Sequence, residues 1–535
     1  MRNKFLLILI FCLALGTRLF YLGIIPNGLY SDEAAYGYNA YSILKTGRDE
    51  YGVKFPLAFK SFGEYKAPLS IYTLVPFVWL FGLRIESVRL VSVFLGVCTI
   101  WMIFRSIQLT HNNRKIALLV AFTLSISPFM LQFNRMGHES NLSVFLLSLG
   151  ILGFLYHAQK KKPILFAIIP FVLSMYAHHD AKILGPLLMI LLLVIFRKRM
   201  LLNRTTIIQL FIGLILFLVS AFLLFQKSYL NRPLSVLVYS DPGITAEIVE
   251  RRNEYNLFNS NLGRIFQNKA VLFPLQTIQN YLTHFNPGYL FFQGDGVKIY
   301  STVGMGILYI VELPFLVLGI RYLFLKKNPY NSLIFLLLLV APIPAALTRY
   351  VPSSSRTLLS VIPFAILIGF GLYSMKNIGG KIRTFLISGV SFLMILNMIY
   401  YFQLYYINTP VRYALEWHYG MKDVMDYVKQ NQQNYNTVWL SKNAWGYIYP
   451  LFYLQYPPEK YQKQAHLSEL NEFGFGWVDS FDKYRFDTFP VGYSELKDVL
   501  FIGNPSDFSN LKNPLYTVYY PNKAVAFYIA DWRSF

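Results

Sequence analysis

Long apolar runs recur along the first 404 residues of this chain. A bilayer core is about 30 Å thick, so a helix needs about 20 mostly apolar residues to cross it. Lipid offers no hydrogen-bond partners, so a chain with many such runs must pair its backbone groups within helices. We therefore predict a polytopic α-helical membrane protein. The twelve candidate spans are residues 5–25, 67–83, 88–108, 116–131, 141–158, 164–177, 183–196, 206–226, 303–325, 331–347, 358–375 and 384–404.

Composition points to the same class of protein. Of the 535 residues, 55% are hydrophobic and only 14% are charged, which excludes an ordinary soluble domain. The net charge is +22, but lysine and arginine are spread along the loops between the spans. That distribution is typical of topology signals, and we predict no nucleic-acid partner. Cys12 and Cys98 both lie in apolar spans, so the sequence indicates neither a disulfide nor a zinc site.

The basic clusters also predict how the chain is threaded. If all twelve runs crossed, the clusters at 114–115 and 160–162 would lie on the wrong side of the membrane. Run 67–83 is interrupted by two prolines and is rich in aromatic residues, which is typical of a helix lying flat at the interface. Without that run, eleven crossings put every basic cluster in the cytoplasm. We therefore predict a multi-pass protein of the cell membrane with a cytoplasmic N-terminus.

The same threading places two long loops and the C-terminal region outside the cell. The outer loops are 26–87 and 227–302, and the second is too long for a plain connector. Residues 1–404 would form a transmembrane domain, and residues 405–535 a small extracytoplasmic α/β domain. Within the outer regions we predict helices at 245–254, 277–284 and 420–432 and strands at 437–441, 499–502, 516–520 and 524–529.

Two carboxylates, Asp32 and Glu33, follow the first apolar span and are the first acids of the chain. The ordinary interpretation is a helix start, where Ser31 caps a helix whose first turn favours acidic side chains. The alternative is catalytic, because a carboxylate at the membrane boundary, partly shielded from water, can take a proton from an attacking hydroxyl. Asp32 is then the candidate base, and Glu33 the candidate for orienting a substrate.

Further polar side chains cluster at the outer ends of the spans, where charge is costly and often functional. Arginine forks onto phosphate oxygens while its stem stays in lipid, although simple snorkelling is an alternative for Arg356. The candidates for binding a phosphate are Arg135, Lys182 and Arg356. The candidates for positioning a donor or an acceptor are Glu64, Lys66, His138, Glu139 and Asp180.

The sequence does not favour a metal site. Glu64 and His284 could supply ligands, as could His138, His178, His179 and Asp180. No pair among these six residues has the i, i+4 spacing of a helical metal motif, and no cysteine joins them. We expect no required cofactor, with a divalent metal as the alternative that Glu64 and His284 leave open.

Together these features resemble the GT-C glycosyltransferases, and within them the family 39 branch that holds protein O-mannosyltransferases and the aminoarabinose transferase of lipid A. The features are the Asp-Glu pair, the loop closing in Glu64-Tyr-Lys66-Ala-Pro68, a charged second outer loop, and the many spans ahead of an outer C-terminal domain. The resemblance covers roughly residues 1–400 and rests on architecture more than on its short motifs.

The resemblance implies roles for individual residues. It implies that Asp32 is the catalytic base and that Glu33 helps to hold the acceptor. By position, Glu139 corresponds to the second-loop acid of the family. Lys182 corresponds to the basic residue after the fifth crossing, and Arg356 to the one ahead of the tenth.

Two further family features bear on this chain. Relatives often carry a histidine or another polar ring residue just before the arginine, where this chain has Ser353-Ser-Ser355. Glu64 and His284 lie where some relatives hold a metal.

The resulting hypothesis is a membrane glycosyltransferase that moves a sugar, with inversion, from a polyprenyl-phosphate donor to a hydroxyl of a lipid, glycan or protein at the extracytoplasmic face. No nucleotide-binding glycine motif appears, consistent with a lipid-linked donor. A transporter or flippase of lipid-linked saccharides is one alternative, but it would place its ionisable groups deep in the membrane, where only Glu312 lies. A non-catalytic envelope assembly protein is the other.

Overall fold

The computed structural model describes residues 2–62, 64–200, 203–224, 236–257, 262–444, 446–468 and 477–535. These residues form two compact units, each assembled from stretches that are distant in sequence. The first unit comprises Met1–Arg18, Phe94–Asn134 and Glu139–Tyr401, and the second comprises Leu19–Val93, Arg135–His138 and Phe402–Phe535.

The first unit is helical, as the apolar runs predict. Each of the twelve runs contains a helix. A long apolar segment can pair its backbone N–H and C=O groups with one another only as a helix. The helices that lie wholly or mostly in this unit are Arg2–Leu19, Ile85–His111, Arg114–Ile126, Pro128–Asn134, Ser140–Lys160, Leu165–Ser174, Ala181–Ile195, Arg204–Leu224, Pro242–Leu257, Leu262–Phe266, Lys269–Thr283, Leu313–Leu325, Asn331–Val340, Ile343–Ala346, Val361–Ser374 and Gly380–Gln403.

Some of these helices are long and apolar enough to cross a membrane. In the described part of the chain there are four, and a fifth if Arg114–Ile126 and Pro128–Asn134, bent by 57°, count as one span. Several other apolar helices, Pro68–Phe81 among them, have only 10–17 residues. The eleven crossings and the interfacial position of Pro68–Phe81 therefore stay predictions. The four long helices are Ile85–His111, Ser140–Lys160, Arg204–Leu224 and Gly380–Arg412, the last counted with the helical turns Leu404–Asn408 and Thr409–Arg412 that directly follow Gln403.

A buried polar network links helix ends within the first unit. Arg18 is fully buried, and its Nε donates to Asn134 Oδ1 at 2.8 Å while its guanidinium also donates to the carbonyl of Ser125 at 2.9 Å. Asn134 Nδ2 donates onward to Asn141 Oδ1 at 2.7 Å. Because an unpaired polar group in a dry interior is costly, this network fixes the ends of the four helices that carry these residues relative to one another.

The 227–302 loop contains the predicted helices. Pro242–Leu257 covers the first predicted patch and Lys269–Thr283 most of the second. Residues 227–235 and 258–261 of this loop lie outside the described part of the chain.

The N-terminal part of the second unit carries the Asp-Glu pair on helix Ser31–Thr46. Ser31 is the first helical residue and not the cap, so that expectation is wrong. The carboxylate of Glu33 instead accepts the N–H of Tyr30 at 3.4 Å. The helix ends at Gly47, whose φ of 66° lets its N–H return to the carbonyl of Ile43 at 2.9 Å.

Two short strands and a helix follow in this part of the unit. Strand β1, Phe59–Ser61, pairs antiparallel with β2, Glu64–Lys66, and helix Pro68–Phe81 begins two residues later. The pairing sets Lys66 opposite Phe59, at the end of the hairpin.

The C-terminal part of the second unit holds a seven-stranded mixed sheet. The strands are β3 Thr437–Leu440, β4 His466–Leu467, β5 Val478–Phe481, β6 Tyr484–Phe486, β7 Val499–Gly503, β8 Tyr516–Tyr519 and β9 Val525–Ala530. Their order in the sheet is β4-β5-β6-β3-β7-β9-β8. Strand β3 is central and runs parallel to β6 and β7, whereas the outer pairs are antiparallel. The helices of this part are Thr409–Arg412, Met421–Asn431, Ile448–Tyr453 and Pro458–Gln464.

The predicted helix at 420–432 and the four predicted strands of this region are confirmed within one residue at most of their ends. The sequence missed β4, β5 and β6, which have only two to four residues each. Strands β5 and β6 turn back on Asp482 and Lys483, with Asp482 at φ 47°. Such short strands carry too few residues for a visible apolar alternation. The extracytoplasmic position of this region and the boundary at residue 404 stay predictions.

Candidate active site

Asp32 lies in the first turn of helix Ser31–Thr46, and its side chain is 20% exposed. Its Oδ2 accepts a hydrogen bond from Lys66 Nζ at 2.9 Å and another from the hydroxyl of Tyr30. Lys66 is only 5% exposed, so the ammonium is held against the carboxylate instead of being spread in water. The structure therefore brings together two of the predicted site residues, Asp32 and Lys66.

These contacts decide the charge of Asp32. Burial alone would raise the pKa of the carboxyl, but the charge of Lys66, the hydroxyl of Tyr30 and the charge of His138 outweigh it and hold the pKa below its usual value. Asp32 is consequently a carboxylate throughout the neutral range. His138, another predicted site residue, thus acts electrostatically on Asp32.

Glu33 is fully buried and forms an ion pair with Arg89. The two carboxylate oxygens receive Arg89 Nε at 3.0 Å and Nη2 at 3.1 Å, which is the bidentate geometry that guanidinium favours. The remaining Arg89 donors reach the carbonyls of Leu22, Pro26 and Gly28. The pair therefore anchors the segment that leads into Asp32.

Glu33 also holds the segment 135–138. Its Oε1 accepts the N–H of Gly137 at 2.7 Å. A side chain at Gly137 would not fit, since an added Cβ would lie 2.5 Å from Val88 Cγ1. The bonds from Arg89, Gly137 and Tyr30 to the buried Glu33 carboxylate support a structural role. The acceptor-binding role implied by the family resemblance stays a prediction.

Arg135 is buried as well, at 1% exposure. Its Nη2 donates to the carbonyls of Phe20 and Ile25 at 2.7 and 2.9 Å, and its Nε donates to the Tyr405 hydroxyl at 3.2 Å. The guanidinium also lies over the rings of Tyr405 and Tyr406. Of the three predicted phosphate-binding cations, Arg135 is thus the most deeply buried, and its donors bind two backbone carbonyls and a hydroxyl.

Residues of the C-terminal stretch support the same segment, which the sequence did not predict. Gly28 packs against the carbonyl of Trp417, so closely that an added Cβ would lie 1.9 Å from that oxygen. Tyr449 donates to the carbonyl of Leu29 at 3.0 Å and also contacts the His418 ring nitrogen. Burial lowers the pKa of His418 to about 3, so the imidazole is neutral. Tyr449 and Leu29 lie 420 positions apart in the chain, and no local pattern signals such a contact.

A second cluster of predicted residues lies in the first unit. Asp180 Oδ1 accepts from His178 Nδ1 at 2.7 Å and from the hydroxyl of Ser143 at 3.0 Å. On its other side, His178 Nε2 is 3.9 Å from Glu139 Oε1. Burial lowers the pKa of His178, but Asp180 and Glu139 raise it more, and the net pKa lies above the usual value. His178 therefore bridges two acids that the sequence singled out separately.

The two remaining phosphate candidates belong to this same unit. Lys182 Nζ donates to His179 Nδ1 at 3.2 Å, at the start of helix Ala181–Ile195. Arg356 is half-buried and donates to the hydroxyl of Thr348 at 3.3 Å. Arg356 acts electrostatically on His178, and so lies close to that cluster.

The metal candidates give little support to a metal site. His284 uses both ring nitrogens within the protein: Nδ1 donates to the carbonyl of Asn280 at 2.8 Å, and Nε2 accepts the N–H of Ser353 at 3.1 Å. The side chain of Glu64 lies outside the described part of the chain. Among the residues that are described, no group of three or more acids, histidines or cysteines is placed to hold a metal.

The ion pair of Glu33 gives a direct test by substitution. Glu33→Gln leaves the charge of Arg89 buried without its partner, so we expect the free energy of unfolding to fall by about 3–5 kcal/mol. Unfolding in detergent measures this loss. The control Glu459→Gln removes an exposed carboxylate of the same unit and should change stability by less than about 0.5 kcal/mol. Wild-type stability of Glu33→Gln, with only acceptor binding weakened, would contradict the structural role.

Comparison with known proteins places this geometry in a family context. Residues 65–225 match the model of the dolichyl-phosphate-mannose-protein mannosyltransferase family. The fold matches the crystal structure of ArnT from Cupriavidus metallidurans in the apo state, with a TM-score of 0.55 and 11% identity over 100% of this chain and 99% of that one. The same protein bound to undecaprenyl phosphate matches with a TM-score of 0.54 and 12% identity, over 98% and 97%. No curated protein sequence matches the chain. The predicted resemblance is thus confirmed: the chain has the GT-C membrane fold and, over 65–225, the sequence pattern of that mannosyltransferase family.

Proposed function

We propose that this protein is a membrane glycosyltransferase that moves a sugar from a polyprenyl-phosphate donor to an acceptor hydroxyl at the extracytoplasmic face. One observation carries the proposal. Asp32, in the first turn of helix Ser31–Thr46, is ionised and partly exposed, and Lys66 and Tyr30 hold its carboxylate in place. The fold adds support, since the similar ArnT has been solved with undecaprenyl phosphate bound.

Asp32 would act as the general base. The acceptor oxygen attacks the anomeric carbon as Asp32 takes the hydroxyl proton, and the bond from that carbon to the phosphate oxygen breaks. The products are the glycosylated acceptor and polyprenyl phosphate. Attack opposite the leaving group inverts the anomeric configuration. Since the leaving group is already a phosphate, charge stabilisation matters more than its protonation.

We assign the phosphate to Lys182 and Arg356. The side chains of Lys182 and Arg356 are partly exposed, whereas Arg135 is 1% exposed and donates to two carbonyls and a hydroxyl. Arginine and lysine both bind phosphate oxygens well, the first as a fork and the second as a point charge.

The other predicted residues have supporting roles in this proposal. The charge of His138 adds to that of Lys66 in keeping Asp32 ionised. Asp180 and Glu139 hold His178, on which Arg356 acts electrostatically. We further propose that residues 1–404 form the catalytic transmembrane domain, with a cytoplasmic N-terminus and with 405–535 outside. The proposed partners are the lipid-linked donor, a hydroxyl-bearing acceptor and the bilayer.

Loss of the proposed base should slow sugar transfer strongly without unfolding the protein. Asp32→Asn keeps the shape of the side chain but cannot take a proton, so we expect the transfer rate to fall about 10²- to 10⁴-fold. The assay follows radiolabelled sugar from synthetic polyprenyl-phosphate donors, with membrane extract as the source of acceptor. The control Asp423→Asn changes an exposed carboxylate of the same unit.

The Asp32→Asn assay also separates the rival functions. Undiminished transfer by Asp32→Asn would contradict the proposed base. Absence of transfer by the wild-type protein, together with movement of lipid-linked sugar across vesicle membranes, would favour a flippase.

The Lys66 contact predicts a pH effect of definite sign. Lys66 lowers the pKa of Asp32, so activity should persist on acidification until the pH falls below the usual carboxyl pKa. In Lys66→Met, burial is no longer offset by the ammonium, and the acid limb of the kcat/KM profile should move to higher pH. A limb that stays in place would show that Lys66 does not set the ionisation of the base.

A further inference from the structure

Arg356 is carried by a turn, residues 353–357, that is almost completely buried. Within the turn, the hydroxyl of Thr357 donates to the carbonyl of Ser353 at 2.7 Å. Ser354 and Thr357 have at most 1% exposure. A buried turn must find a partner for each polar group, and most of the partners here come from outside the turn.

The first partner is His284, which follows helix Lys269–Thr283. Its Nδ1–H donates to the carbonyl of Asn280, which fixes Nε2 as the acceptor for the N–H of Ser353 at 3.1 Å. Burial lowers the pKa of His284 to about 4, so the ring stays neutral and keeps its acceptor. A ring nitrogen in this bond is not available to a metal ion.

The second partner is Asp295, at 7% exposure. Its Oδ2 accepts the N–H of Ser354 at 2.5 Å, while its Oδ1 accepts the N–H of Val297 at 2.8 Å. Asp295 therefore binds the backbone amide next to the one bound by His284. A carboxylate can accept both bonds, whereas an amide of the same shape would turn an NH₂ group toward one of the two N–H donors.

The third partner is Tyr289, whose ring packs edge-on against His284. Its hydroxyl lies 3.2 Å from the hydroxyls of both Ser354 and Thr357. On the far side of the turn, the hydroxyl of Ser140 donates to the carbonyl of Ser355 at 2.8 Å. The residues of the turn on both sides of Arg356 are thus fixed by groups distant in sequence.

We infer that His284, Tyr289 and Asp295 of the 227–302 loop are positioning residues for Arg356, holding its turn so that the guanidinium meets the donor phosphate. This inference rests on the proposed function, because it needs Arg356 to bind that phosphate. It gives the long outer loop a task in donor binding and gives His284 a role that requires no metal.

A double-mutant cycle on phosphate binding tests the inference. The probe is undecaprenyl phosphate, with undecaprenol as the control ligand that lacks the phosphate. We expect Arg356→Gln and Asp295→Asn each to weaken binding of undecaprenyl phosphate about tenfold, and the double variant to bind about as weakly as Arg356→Gln alone. Undecaprenol binding should change by less than about twofold in all three variants. A residue that merely stabilises the fold would not give this non-additivity.

A matched pair at His284 supplies a second test, and serves if Asp295→Asn fails to fold. His284→Gln keeps an oxygen that can accept the N–H of Ser353, and should bind undecaprenyl phosphate within about threefold of wild type. His284→Leu offers no acceptor and should weaken binding about tenfold. Equal losses in the two variants would contradict the turn-holding role.

The outcomes separate this inference from the function on which it rests. Suppose that Arg356→Gln weakens binding of undecaprenyl phosphate. If the double variant then loses the product of the two single fold-losses, or if Asp295→Asn alone causes no loss, only the inference is overturned. If Arg356→Gln binds undecaprenyl phosphate like wild type, the phosphate role of Arg356 fails and the inference fails with it.

Discussion

The buried ion pair between Glu33 and Arg89 is the interaction on which the geometry of the second unit depends. It is costly to bury, and it is tolerated because both carboxylate oxygens and every nitrogen of the guanidinium have partners. Through those partners it joins the segment before Asp32 to Gly137. The neighbouring Asp32 is partly exposed, and its Oδ2 accepts hydrogen bonds from Lys66 and Tyr30.

The two acids of the pair therefore have contrasting environments, although they are adjacent in sequence. Glu33 is enclosed and serves the fold, whereas Asp32 is reachable and its low pKa keeps it ionised. In the first unit, Lys182 and Arg356 stand near acids that hold His178. Cationic side chains can stabilise the negative charge of a leaving phosphate, and an ionised carboxylate can remove the proton of a hydroxyl. The proposed reaction needs both kinds of group.

Much of this could be predicted from the sequence, because apolar length and local pattern are local properties. The helical runs and strands β3, β7, β8 and β9 of the C-terminal sheet follow from them, as does the choice of Asp32 as the candidate base. The roles of Arg89, Trp417, Tyr449 and Asp295 could not be predicted, since each acts on a residue dozens to hundreds of positions away. For the same reason the sequence shows the charge of Arg135 but not the two backbone carbonyls to which it donates.

The central claim is that Asp32 removes a proton during direct attack on the donor sugar, and the anomeric configuration of the product tests it most directly. Synthetic polyprenyl-phosphate sugars of defined configuration would be turned over by the purified protein, and the new linkage assigned by NMR. A base and a single displacement predict an inverted linkage. A retained linkage would require a covalent glycosyl intermediate on a nucleophile, and would contradict the role of Asp32 as a base.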